Sequence, residues 1–168
     1  RDDAGAAAAL RAPAAGRPVV LFGSTFTERL SAAPHLFDAI AADIAAGQRY
    51  WLLTLHPKCS PELFARYRAL AGANAAFIEP EQVMAAQRAA DVLVSDTSSI
   101  VSEFLVQQKP VVTFRNRVPE DYMLDFSEPA QLPAMLDRAL AQEPAHMARI
   151  AAYADSIHPW RDGQSSQR

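Results

Sequence analysis

A single cysteine, Cys59, occurs in the 168 residues, which excludes an internal disulfide and any cysteine-based metal site. The four histidines, His35, His56, His146 and His158, show no ligand spacing such as H-x-x-x-H, so no metal site is expected from them either. Neither G-x-G-x-x-G nor G-x-x-x-x-G-K-[ST] occurs, which argues against an NAD-type site and against a P-loop. Positive charge is not in excess. The formal net charge is −3 and the pI about 5.8, so there is no electrostatic footprint for nucleic acid. No apolar stretch approaches the roughly 20 residues of a membrane span. No signal peptide is visible, and since the chain starts at Arg1 and stops within a polar run, a fragment of a longer protein is expected.

What is present suits one folded domain. Half of the chain is hydrophobic and 21% is charged, which is not the composition of a disordered segment. The organising stretch is Asp91–Val112. The apolar run Val92, Leu93, Val94 gives way to Ser95, Asp96, Thr97, Ser98 and Ser99, and the period then changes. Ile100, Val101, Phe104 and Leu105 form one stripe of a helix, closed by Lys109 and Pro110 before the apolar run Pro110–Phe114. Strands so uniformly apolar read as buried on both faces, as parallel strands are in a helix-covered sheet. The loop after Val94 therefore falls at the carboxyl end of a parallel strand, where open α/β sheets bind ligands. Ser98 and Ser99 fall at the helix start, where backbone N–H groups and hydroxyls suit a phosphate. The same residues are also ordinary N-capping chemistry.

The rest of the chain repeats the unit. Residues 1–17 are Ala-rich with no clear stripe and read as a linker or frayed segment, leaving 18–168 as the domain. Pro18–Phe22 reads as a strand followed by a Gly23–Thr27 loop, and Leu36, Phe37, Ile40 and Ile44 as a helix ending at Gly47. Tyr50–Leu55 is the next strand, Ser60-Pro61-Glu62 a helix start, Ala75–Ile78 a short strand and Glu81–Ala90 a helix. After Phe114 the pattern loosens: Tyr122–Phe126 reads as a short edge strand, with helices around Leu132–Leu140 and over Pro144–Ile157. Strands alternating with helices at short connections predict a doubly wound α/β domain, a parallel sheet with helices on both faces.

His56 follows a strand and precedes a proline that forbids helical continuation, so it should face the same crevice as Ser98 and Ser99. There it could donate to a phosphate or act in acid-base work, or simply cap the strand end. Glu103 lies one turn after Ser99, placed to accept ribose hydroxyls. Equally it could be a surface acid that is solvated or paired with Lys109. Arg115 and Arg117 could reach a diphosphate as bidentate donors, or pair with Glu120 and Asp121. Cys59 precedes a helix with no second base in view, so no nucleophilic role is expected, and Trp51 and Trp160 read as packing residues.

Three pieces together, LTLHPK at Leu53–Lys58, DVLVSDTSSIVSEFLVQQKPVVTF at Asp91–Phe114 and DGQSSQR at Asp162–Arg168, resemble the carboxyl-terminal half of the CDP-glycerol glycerophosphotransferases, the teichoic-acid polymerase family. VLFGSTF at Val20–Phe26 would match the loop where that half begins. The resemblance implies one Rossmann-like half of a GT-B arrangement, holding the nucleotide donor of a transferase in cell-surface polymer synthesis. It implies CDP-glycerol or another nucleotide-diphospho donor as substrate, with no cofactor. A polymer or lipid-linked acceptor would be reached through an amino-terminal half. The full protein would be cytoplasmic, with peripheral association at the cytoplasmic face of a membrane, and the fragment alone inactive. By the same likeness His56 contacts the donor phosphates as the catalytic residue, Thr97, Ser98 and Ser99 cradle the diphosphate, and Glu103 binds the ribose. Two features depart from the family. Thr97 stands where Tyr is usual, and the Arg115-Asn116-Arg117 loop is similar to that of the UDP-N-acetylglucosamine 2-epimerases, which carry Ser-Gly-Gly in place of Thr97-Ser98-Ser99. An epimerase-like or UDP-sugar transferase domain, and a non-catalytic nucleotide-binding module, stand as alternatives.

Overall fold

The computed structural model describes residues 3–157. The terminal Asp162–Arg168 motif and Trp160 lie outside the described residues.

Six strands form one parallel sheet: β1 Val19–Ser24, β2 Tyr50–Leu55, β3 Ala75–Phe77, β4 Val92–Ser95, β5 Val111–Phe114 and β6 Leu124–Phe126. Their order is β3-β2-β1-β4-β5-β6, so the chain winds outward from β1 to one edge, returns beside it with β4 and winds to the other. The fold is thus the expected doubly wound, Rossmann-like α/β layer. The switch between the two windings falls between β1 and β4, where Phe22 pairs with Val94.

Alternate strand residues face opposite layers, as the pleat requires. Phe22, Trp51, Leu53, Val94 and Val112 pack beneath α2 (Ala33–Ala46), α3 (Pro61–Arg68) and α6 (Leu132–Leu140). Leu21, Leu52, Leu93 and Val111 pack beneath α1 (Asp3–Arg11), α4 (Val83–Ala89), α5 (Ser99–Leu105) and α7 (Pro144–Ile157). Burial on both faces explains why the strands read as unbroken apolar runs. Local signals fix the helix ends: Ser60 accepts from the Leu63 N–H at the start of α3, and Gly47 closes α2 at φ 74°. Beneath α2, Asp43 accepts from Arg49 Nη1 and from Trp51 Nε1, so the buried tryptophan packs with its one donor satisfied.

Two expectations need correction. Residues 1–17, read as a linker or frayed segment, contain α1, which packs along α4 through Ala7 and Leu10 and is tied down by Arg11 donating to the Ala89 carbonyl at 2.7 Å. Its short alanines left no stripe to read. Gly23 and Ser24, assigned to a loop, continue β1, because their register with Thr54 and Leu55 of β2 carries the ladder two residues further.

Candidate functional site

The carboxyl ends of β1, β2 and β4 meet at the switch point, and one residue organises them. Asp96, directly after β4, is fully buried, and its carboxylate accepts from the Ala32 N–H at 2.7 Å and the Thr25 N–H at 3.0 Å. The loop between β1 and α2 is thereby tied to β4. The Asp96 carbonyl in turn accepts from Asn116 Nδ2 at 2.9 Å, which fastens the loop after β5 to the same point. Burial pushes the Asp96 carboxyl up to about 6, against the pull of the Ala32 and Thr25 N–H groups. Sequence reading placed Asp96 in a motif but gave it no role, since its partners lie 64 and 71 positions away.

Gly23 sets how closely α5 approaches. A Cβ there would come within 3.2 Å of Ile100 Cδ1 and 3.4 Å of Thr54 Cγ2, so its absence lets Ile100 close onto the end of β1.

Beside this contact lies a cavity of about 310 Å³, walled by His56, Ser98, Ser99 and Glu103 together with Pro80 and Val83. Four of the predicted site residues, drawn from two distant stretches of chain, therefore face one space. Ser98 takes the cap position of α5 in extended conformation with no capping hydrogen bond from its side chain, so its hydroxyl is not spent on the helix. His56 Nδ1 accepts from the Lys58 N–H at 3.1 Å. The neutral ring must then carry its proton on Nε2, as a donor. The ring lies 4.4 Å, centroid to centroid, from that of Phe26, which fixes its orientation from the loop after β1. Glu103 does not pair with Lys109. It accepts from Gln87 Nε2 at 3.0 Å, while Lys109 Nζ caps the end of α4 by donating to the carbonyls of Gln87, Arg88 and Ala90.

Thr97 and Arg115 are placed differently. The Thr97 hydroxyl accepts from the Arg117 N–H at 2.9 Å and holds the neighbouring loop. Arg115, at φ 49°, lies over the Phe114 ring and donates from Nε to the Ser127 carbonyl. Neither lines the cavity, and the alternative pairing of Arg115 with Glu120 or Asp121 is also absent among the described residues. Pro80, on the β3 to α4 connection, and Val83, the first residue of α4, were missed by sequence reading, although their place after a parallel strand was a usable signal.

No family model matches the chain, and no curated protein does. Solved structures do. The wall teichoic acid polymerase TagF, as a variant soaked with CDPG, superposes with a TM-score of 0.68 at 18% identity, over 99% of this chain and 44% of that one. The shared feature is the fold. The S. aureus MnaA–UDP co-structure gives 0.64 at 14%, over 94% and 46%. A Listeria monocytogenes protein described as a UDP-N-acetylglucosamine 2-epimerase gives 0.61 at 16%, over 88% and 46%. The chain thus spans less than half of the length of these proteins.

A second cavity, of about 520 Å³, opens on the α2 and α3 side between Phe26, Lys58, Cys59 and Arg66. Burial and the Asp96 carboxylate push the Cys59 thiol up, so it is not an activated thiolate. Among the described residues no group of three or more His, Cys, Asp or Glu is placed to hold a metal ion, and no helix is long and apolar enough to cross a membrane.

Proposed function

We propose that this chain is the donor-nucleotide-binding half of a GT-B-type transferase that uses a nucleotide-diphospho donor, of the CDP-glycerol class, in the synthesis of a cell-surface polymer. The observation that carries the reading is the convergence of His56, Ser98, Ser99 and Glu103 on one cavity at the switch point of a doubly wound sheet, the usual ligand position in this architecture. The Ser98 and Ser99 hydroxyls and the His56 Nε2–H are donors suited to a diphosphate, and Glu103 is an acceptor suited to ribose hydroxyls. Donors aimed at the phosphates stabilise the charge that builds on the nucleotide phosphate as it departs. Thr97 and Arg115 act one step back, by holding the loops that frame the cavity. The acceptor, a polymer or lipid-linked hydroxyl, and the base that deprotonates it belong to a second half, so this chain binds nucleotide without turnover. TagF, whose likeness covers nearly all of this chain, supports the cytidine donor. MnaA with UDP supports a second reading, a UDP-sugar epimerase or transferase half.

The test is calorimetric titration with CDP-glycerol, CMP, UDP-N-acetylglucosamine and UDP, with amide NMR to locate each ligand. Cytidine ligands binding with shifts at His56 and Ser98–Glu103 is the expected result, and a uridine preference would replace it with the second reading. Ser98→Ala with Ser99→Ala should weaken the bound diphosphate by about 1–3 kcal/mol. Unchanged affinity in a folded double variant would remove the phosphate role.

A further inference from the structure

Gln87 is the one polar side chain buried on α4, 3% exposed among Ala85, Ala86 and Ala89. A buried amide in an alanine-lined helix face is costly unless both its ends are bonded. Both are. Nε2 donates to Glu103 Oε2 at 3.0 Å, and Oε1 accepts from Gln107 Nε2 at 3.3 Å. The two bonds leave the amide one orientation. Reversing it would set Oε1 against a carboxylate and Nε2 against another amide donor. The Gln87 backbone is also fixed, its carbonyl accepting from Lys109 Nζ at 2.7 Å. Glu103, exposed and lining the cavity, is therefore held through Oε2 by a donor whose own position is fixed.

We propose that Gln87 is a positioning residue that aims the Glu103 carboxylate at the ribose 2′-hydroxyl, and so sets the preference of this site for ribonucleotides over 2′-deoxyribonucleotides. The proposal rests on the nucleotide reading of the cavity. A carboxylate that is pre-aimed contributes most when it accepts a hydroxyl at fixed geometry, and a ligand that covers it without supplying that hydroxyl leaves the acceptor unmet.

The experiment compares Kd values for CDP against 2′-deoxy-CDP, and UDP against 2′-deoxy-UDP, in the unaltered chain, Glu103→Gln and Gln87→Met. Methionine keeps the length and helix compatibility of glutamine without its donor. The unaltered chain should favour the ribonucleotide by about tenfold or more, as expected for a hydrogen bond to a charged group. Gln87→Met should cut that preference to about threefold or less by weakening the ribonucleotide while leaving the 2′-deoxy affinity unchanged. Glu103→Gln combined with Gln87→Met, measured alongside, should lose no more of the preference than Glu103→Gln alone. Preference lost in Glu103→Gln but intact in Gln87→Met overturns the positioning role and leaves the ribose contact standing. Equal weakening of both nucleotides by Gln87→Met would mean a general packing role and also overturns it. If Glu103→Gln keeps the full preference, or no nucleotide binds, the ribose reading fails and this proposal with it. Should Gln87→Met fail to fold, Gln87→Asn, which retracts the donor by one methylene, is judged by the same outcomes.

Discussion

At the scale of the residue, Asp96 holds more of the site together than any group lining it. Its two backbone donors, Thr25 and Ala32, belong to the loop that also carries Phe26, the ring set against His56. Its environment has a consequence in pH. Because burial raises its carboxyl from 3.8 to about 6, the folded chain holds this proton more tightly than the unfolded chain between those values. Stability from this group is thus fully present below about pH 4 and lost as pH rises to about 6, by roughly 3 kcal/mol. Asp96→Asn cannot ionise, so chemical denaturation from pH 4 to 7 should show a falling limb in the unaltered chain that is missing from the variant. The variant should also be less stable at pH 4, since one backbone N–H would face an amide NH₂. A limb that rises instead would mean that the Thr25 and Ala32 N–H groups outweigh desolvation.

At the scale of the element, the close seat of α5 on the end of β1 depends on Gly23. Gly23→Ala would press its Cβ to 3.2 Å from Ile100 Cδ1, a crowding that should cost about 1–2 kcal/mol. Ile100→Val removes that carbon and alone should cost about 0.5–1.5 kcal/mol. In combination the two should be milder than their sum by roughly 0.5–1 kcal/mol, measured as a double-mutant cycle of urea midpoints. Strict additivity would mean that α5 does not rest on this strand end. The contact also marks how far sequence reading reaches. Strands such as Tyr50–Leu55 and helix ends such as Ser60 and Gly47 were legible because burial on both faces and capping chemistry are written locally. His56, Ser98, Ser99 and Glu103 were legible as a group because each follows a strand that parallel pairing brings to one edge. The turn of Thr97 and Arg115 away from the cavity, and the seat of Glu103 on Gln87 rather than Lys109, were not. Those outcomes depend on bonds between residues well separated in the chain, Thr97 with Arg117, Arg115 with Ser127 and Glu103 with Gln87, which no local pattern announces.

At the scale of the molecule, the two ends of the parallel sheet have separate tasks. The carboxyl edge carries the candidate site, whereas the amino edge is closed by a half-buried latch. The Arg17 guanidinium donates to the carbonyls of Pro13, Ala14, Gly47 and Ala73 and to Asn74 Oδ1, and lies over the Tyr50 ring. One side chain thus joins the segment leading from α1 to the turns that enter β2 and β3. Removing it leaves several carbonyls short of a donor, and a loss of about 2–3 kcal/mol is expected for Arg17→Ala. In a domain of this size that corresponds to a fall in Tm of roughly 5–10 °C. Because the strands that separate the latch from the cavity are rigid and fully packed, nucleotide affinity below the transition should stay within about twofold of the unaltered chain. Thermal unfolding and calorimetric titration on the same variant check both halves of this expectation. A normal Tm would mean that the residues ahead of β1 are not part of the domain's stability, and a large loss of affinity would mean that strain at the amino edge reaches the site through β1 and β2.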